Sequence, residues 1–220
     1  MRFKEDIHMT GNEEAITHAI RELSDRDVSL AALIQEHGPY KPRPSKQPDI
    51  FASLSRSIIY QQLAGKAAAS IHLRFTELFS DGVTPQELLK LDIDTIRSAG
   101  LSNAKAKAII DLATHVHEGQ LSLSMIQDLN DEALVKSLVR VRGIGPWTAH
   151  MFMIFELGRL DVWPTGDLGV RNGFGIAFCD GETPTVKELA KHGEPFKPYR
   201  SIVAWYCWRA ADAAKEKKPN

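Results

Sequence analysis

The stretch VRGIGPWTAH, residues 141–150, sets two glycines and a proline between segments whose apolar spacing is helical. DEALVKSLVR before it and PWTAHMFMIFEL after it repeat apolar residues at three and four. Glycine leaves the backbone bare and accepts positive φ, so Gly143 and Gly145 let main-chain N–H groups come close to a large ligand. Those groups lie at the start of a helix, where the dipole favours an anion such as a phosphate. Ile144, between them, is placed to tuck inward and fasten the two helices. A plain helix–helix connection, with Gly at a C-cap and Pro at N1, accounts for the same residues without a ligand. G-x-G alone does not separate the two readings.

Outward from this turn the helical pattern continues. Apolar residues recur at three and four along IFASLSRSIIYQQL, SIHLRFTELF, AKAIIDLATHV and YRSIVAWYCW. TPQE at 84–87 offers a Thr cap, Pro at the first helical position and a Glu three residues after the cap, and TVKE at 185–188 repeats the cap-and-Glu spacing. Strand-like alternation bounded by turns is missing, so the sequence predicts an all-α chain of about ten helices joined by short loops. HGPYKPRPSK, 37–46, reads as a linker, and WPTGD, 163–167, as a second punctuation. These breaks predict two lobes, 1–50 with 165–220 and 51–164, and a central cleft. The tail AAKEKKPN reads as a fraying helix end. GLSNAKA, 100–106, faintly echoes GIGPWTA, 143–149.

The 220 residues, 43% hydrophobic and 25% charged, have the composition of a globular protein with a real core, which excludes disorder and fibrous designs. No apolar run approaches a membrane span, and MRFKEDIHMTGNEE is too charged for a signal peptide, so the expected location is the cytoplasm of a prokaryote or the nucleus of a eukaryote. Two cysteines, Cys179 and Cys207, exclude a disulfide scaffold, a Cys-rich zinc site and a four-Cys iron–sulfur cluster. A net charge of −1 gives no global sign of a nucleic-acid partner, so any such contact must be local.

LVRVRGIGPWTAHMFMIFELGRLDVWPTGDLGVRNGFG resembles the helix-hairpin-helix, Gly/Pro-rich loop and Asp of the base-excision DNA glycosylases of the HhH-GPD superfamily. GIGPWTA, DLGVR and SIIYQQLAGKAA are similar to its 3-methyladenine DNA glycosylase II branch, and the resemblance runs from residue 50 to residue 209. It implies a two-lobed helical glycosylase fold, with the helix-hairpin-helix at 131–157, acting as a monomer on double-stranded DNA that contains damaged bases, away from membranes. At this size the β-rich N-terminal domain of larger relatives is not expected. In the family, hairpin amides hold a DNA phosphate, which assigns that role to Gly143, Ile144 and Gly145 with Thr148 beside them. The family's monovalent cation, Na+ or K+, would sit on the carbonyls of Val139, Val141 and Ile144. Phosphate binding of this kind carries no sequence information, which suits a scanner of damage.

Asp167 lies 22 residues past Gly145. It suits an N-cap for LGVRNGF, and it also suits the chemistry, because breaking an N-glycosidic bond develops positive charge on the sugar. A carboxylate stabilises that charge and orients or deprotonates a water. The resemblance makes Asp167 the catalytic residue and leaves Asp161 to loop structure. Relatives commonly carry a second acid where this chain has Gly166. Branches that also cut the backbone place a Schiff-base Lys where this chain has Trp147, so the expected enzyme is monofunctional, without lyase activity, and needs no cofactor.

A base must leave the duplex before its bond is reached. The resemblance makes Leu63 the intercalating wedge, with Gln62 contacting the opposite strand; otherwise Leu63 is core and Gln61 or Gln62 a helix-end hydrogen bonder. Trp147 and Trp208 are the expected pocket faces for cationic alkylated purines such as 3-methyladenine and 7-methylguanine. Core is the alternative for Trp208. Tyr199, Tyr60 and Met151 are further lining residues. His115 and His117 point to different helix faces, and His150 reads as packing. Lys105, Lys107 and Arg171 either meet phosphates or form a solvated surface. A non-catalytic lesion or abasic-site binder of the same fold is the rival reading.

Overall fold

The structure, a computed structural model, describes residues 13–41 and 49–216. Among these residues there are twelve α-helices and no β-strand. In chain order the helices are α1 Glu13–Arg26, α2 Val28–His37, α3 Ile50–Tyr60, α4 Gly65–Thr76, α5 Pro85–Leu88, α6 Ile93–Ser98, α7 Asn103–His117, α8 Asp131–Leu138, α9 Pro146–Phe155, α10 Leu168–Phe178, α11 Val186–His192 and α12 Arg200–Glu216. Residues 42–46, half of the linker read at 37–46, and the last four residues of the tail lie outside the described residues. The chain divides into two compact units, Met1–Pro44 with Met153–Asn220, and Ser45–Phe152, so the end of α9 and the return loop 156–164 belong to the terminal unit rather than to the central one.

The terminal unit is built around α12. Leu30, Phe174, Phe196, Ile202, Val203 and Tyr206 are buried in one cluster there, and α2 packs on α12 as the N-terminal segment was expected to do. The Tyr206 hydroxyl donates to the Gly38 carbonyl at 2.9 Å, tying the end of α2 to the middle of α12. α10 lies against α12 at backbone contact: a Cβ at Gly173 would stand 1.8 Å from the Cys207 carbonyl oxygen. Gly169, one turn earlier, faces the same helix. α11 starts with the capping box read at TVKE, Thr185 and Glu188 satisfying each other's backbone N–H.

The central unit packs α3 on α4 and α7, with α5 and α6 also on α7. Leu54, Ile58, Phe75, Leu88, Ile96, Ile109 and Leu112 are fully buried. Asp49, Thr84, Asp92, Ser102 and Asn130 each cap a helix by accepting a backbone N–H that the helix itself leaves unpaired. The Thr84 signal opens a helix of only four residues. The echo between GLSNAKA and GIGPWTA is structural. Gly100 and Gly143 both take positive φ, each precedes a buried apolar residue, Leu101 or Ile144, and each leads into a helix.

Candidate functional site

Between α8 and α9 the chain turns through residues 140–145. Gly143 has φ +80, and a Cβ there would stand 2.8 Å from the Ala108 Cβ on α7, so both conformation and space demand glycine. Gly145 is different: its φ is not positive, open space surrounds it, and its carbonyl accepts the first N–H bond of α9, from Ala149 at 3.0 Å. The expected freedom at two glycines therefore holds for one. Ile144 is buried, as its place between the helices required, and its N–H donates to the Val141 carbonyl at 3.1 Å. The Arg142 N–H donates to Asp111 Oδ2 at 2.7 Å. Among the described residues, the amides of Gly143 and Gly145 meet no backbone acceptor. Two N–H groups in a turn at the start of a ten-residue helix have the chemistry that suits an anion.

The QQL segment lies at the end of α3 in the same unit. Gln62 takes φ +55, an uncommon conformation for a non-glycine residue, and Leu63 after it is 39% exposed, so Leu63 is not core. Lys105 Nζ donates to the carbonyls of Ile59 and Gln61, both at 2.7 Å, satisfying the end of α3. Burial holds the Lys105 ammonium pKa below its ordinary value. Gln61 Nε2 donates to the Gly143 carbonyl at 2.9 Å and to Thr148 Oγ1 at 3.1 Å.

In the terminal unit, Asp167 caps α10. Its Oδ1 accepts the Val170 N–H at 2.8 Å and the Trp208 indole N–H at 2.9 Å, and the residue is 8% exposed. Trp208, half-buried on α12, stacks on Phe155 with centroids 5.5 Å apart and planes at 28°. A Cβ at Gly169 would stand 2.9 Å from Trp208 Cδ1, so this glycine lets the indole cross the first turn of α10 to reach the carboxylate. Gly166 faces open space, so the missing acidic neighbour leaves no steric mark on the loop. Asp161 holds Arg200 through Nε and Nη2, both at 2.8 Å, which is the structural role expected of it. The result is a carboxylate fixed by two N–H donors beside a stacked aromatic pair.

The turn at Gly143, the exposed Leu63 and the capped Asp167 all fall within one family match. The model of the HhH-GPD superfamily base excision DNA repair proteins matches residues 55–198. The chain belongs to the HhH-GPD superfamily. One HhH-GPD relative, DNA-3-methyladenine glycosylase 1 of Schizosaccharomyces pombe, is 32% identical over 209 residues, covering 93% of this chain and 92% of its own. The putative DNA-3-methyladenine glycosylase YfjP of Bacillus subtilis is 31% identical over 209 residues, 91% of this chain and 71% of its own. Among solved HhH-GPD structures, the S. pombe 3-methyladenine DNA glycosylase in complex with abasic DNA aligns with a TM-score of 0.79 at 32% identity, covering 91% of this chain and 100% of that one. The Bacillus halodurans DNA-3-methyladenine glycosidase aligns with a TM-score of 0.83 at 32% identity, covering 90% and 91%.

Within this HhH-GPD chain the remaining predicted residues fall into two groups. Trp147, 49% exposed, and Met151, half-buried, stand one turn apart on α9, and Gln62 is exposed. Two assignments need correction. Thr148, expected at the DNA, is buried with its hydroxyl accepting from Gln61, so it fastens the turn instead. Tyr199, expected in the pocket, is a core residue just before α12 whose hydroxyl pairs with Glu22. Tyr60 packs edge-on against His72 at 6.1 Å with Arg56 4.5 Å above its ring. Lys105 and Arg171 also turn inward, Arg171 Nε donating to the Pro184 carbonyl at 2.8 Å. His115 Nδ1 lies 2.9 Å from the Asp111 carbonyl. Burial lowers the His150 pKa, consistent with packing. Phe155, Gly169 and Gln61 take part in these contacts, and sequence reasoning left them out or unassigned. Phe155 was signalled by the four-residue step Trp147, Met151, Phe155 along one helix face.

Proposed function

We propose that this protein is a monofunctional DNA glycosylase that hydrolyses the N-glycosidic bond of alkylated purines, of the 3-methyladenine and 7-methylguanine type, in duplex DNA. The observation that carries this reading is Asp167, held at the start of α10 by the Val170 amide and the Trp208 indole. The amides of Gly143 and Gly145 grip a phosphate of the damaged strand, and Leu63 fills the space left by the extruded base, with Gln62 beside it. The Trp208–Phe155 stack of the terminal unit offers an electron-rich face to a cationic purine. In the central unit, Trp147 and Met151 stand one turn apart on α9 as the aromatic and thioether groups that unit offers the DNA.

An alkylated purine carrying positive charge is already a good leaving group, so no general acid is required. As the bond to the base lengthens, positive charge develops on the sugar, and the Asp167 carboxylate stabilises it and orients or deprotonates the attacking water. Free base and an abasic site are the products. Trp147 has no amine for a Schiff base, which ends the reaction before strand cleavage.

The carbonyls of Val139, Val141 and Ile144 are hard oxygen donors that suit Na+ or K+. The Val141 carbonyl, which already accepts the Ile144 N–H, keeps a second lone pair for such an ion. Bound there, it would supply positive charge beside the phosphate. No group of His, Cys, Asp and Glu among the described residues could hold a metal, and no helix among them is long and apolar enough to cross a membrane. The protein works as a monomer in the compartment that holds the DNA.

Incubation with methylated duplex DNA, with released bases identified by mass, tests the assignment. Asp167→Asn keeps an equally good helix cap, so it should retain the fold and lower base release by about 10²-fold or more. Tight binding of abasic duplex with no release by the wild type would turn the assignment to the lesion binder.

A further inference from the structure

We infer that Gln61 is a positioning residue that holds the wedge turn and the phosphate-binding hairpin in one register; the inference rests on the roles just proposed for Leu63 and for the hairpin amides. A primary amide has two N–H donors, and both Gln61 donors are committed to the hairpin. One goes to the Gly143 carbonyl inside the turn and the other to Thr148 on the first turn of α9, so a single side chain spans both sides of the turn. The backbone of the same residue is pinned from a third element, since its carbonyl accepts from Lys105 of α7. Immediately after it the chain takes the left-handed step at Gln62 and presents Leu63.

Leu63 thus stands two residues from a group locked onto the turn that would hold the phosphate, a tether of roughly 7 Å at full extension. In duplex DNA the separation between a phosphate and the neighbouring base step is fixed by the helix. A wedge free to drift against its phosphate clasp would enter the stack out of register, and small misplacements are costly where geometry sets the rate. Gln61 therefore acts on extrusion of the base, through Leu63, and not on the chemistry at Asp167. Thr148 and Lys105, both polar and both turned inward, complete the brace.

The test uses the full chain with Gln61→Met, which keeps length and removes both donors, with Leu63→Ala, and with the double variant. Two readouts are taken: fluorescence of 2-aminopurine beside an abasic-site analogue in duplex DNA, which reports intercalation, and single-turnover release of 7-methylguanine. Loss of the bridge should lower the intercalation signal and slow release by about ten-fold. The double variant should be no worse than Leu63→Ala alone, because the glutamine acts through the leucine. Independent, additive losses would reduce Gln61 to a folding role and overturn the inference, as would a wild-type protein that gives no 2-aminopurine signal. Thr148→Val, which removes one of the two acceptors, should shift both readouts in the same direction by a smaller factor, and serves if Gln61→Met melts early. A wild type that intercalates but releases no base would sink the glycosylase assignment while leaving the role of Gln61 to be judged by fluorescence.

Discussion

Oδ1 of Asp167 accepts two N–H groups of different origin, the Val170 amide that starts α10 and the Trp208 indole that comes from α12. The first bond belongs to the helix and the second to the site. Trp208→Phe separates them: the ring can still stack on Phe155, the cap is untouched, and only the indole donor is lost. A hydrogen bond to a charged group contributes about 1.5–3 kcal/mol, so base release should fall at least ten-fold while binding of abasic duplex is kept. Unchanged release would mean that the Val170 bond alone orients the carboxylate. Asp167 was legible from sequence because its helix-cap and catalytic roles ask for the same residue at the same place. Trp208 was legible only through resemblance, since an aromatic at helical spacing otherwise reads as core. Phe155 was hidden inside the run MFMIF, where consecutive apolar residues blur which face is buried. Thr148 and Lys105 misled for a related reason: their partners, Gln61 and the end of α3, are distant in sequence, so both looked available to a ligand.

At the scale of elements, the junction of α10 and α12 sets where Asp167 and Trp208 meet, and glycine makes that junction possible. A Cβ at Gly173 would fall 1.8 Å from the Cys207 carbonyl oxygen, a backbone atom that cannot step aside alone. Ala in place of Gly in a helix interior ordinarily stabilises by up to about 1 kcal/mol. Gly173→Ala should do the reverse and destabilise by about 1–3 kcal/mol, lowering Tm by several degrees. Gly166→Ala, in the loop before Asp167 and facing open space, should stay within about 0.5 kcal/mol of the wild type. Thermal unfolding of the two variants side by side checks both, and a stabilised Gly173→Ala would show that the helices part readily. Helix starts were read well from sequence because capping is local chemistry: Thr84, Asp167 and Thr185 cap where their side chains said they would. Helix–helix approach was not, because a glycine that serves packing looks, in one dimension, the same as one that serves a turn.

For the whole molecule, a net charge of −1 removed any global electrostatic argument for DNA, and the all-helical class with its hairpin had to be read from periodicity and punctuation. Periodicity sufficed for the class because most helices among the described residues carry a cap or an apolar stripe. The division of the chain was harder: α9 runs unbroken from Pro146 to Phe155 across the boundary at 152, and no breaker residue marks it. The same charge balance makes a prediction about binding. If the phosphate grip is made chiefly by neutral amides of the hairpin, few Lys or Arg side chains replace counterions, the more so because Lys105 and Arg171 are committed to backbone carbonyls of the protein. The affinity for abasic duplex should then fall with log K against log salt at a slope of about −2 to −3, roughly sixteen- to sixty-fold between 50 and 200 mM NaCl. Fluorescence anisotropy across that range measures it directly. A slope of about −6 or steeper would reveal a cationic surface that dominates the contact, and the amides of Gly143 and Gly145 would lose their place as the principal phosphate donors.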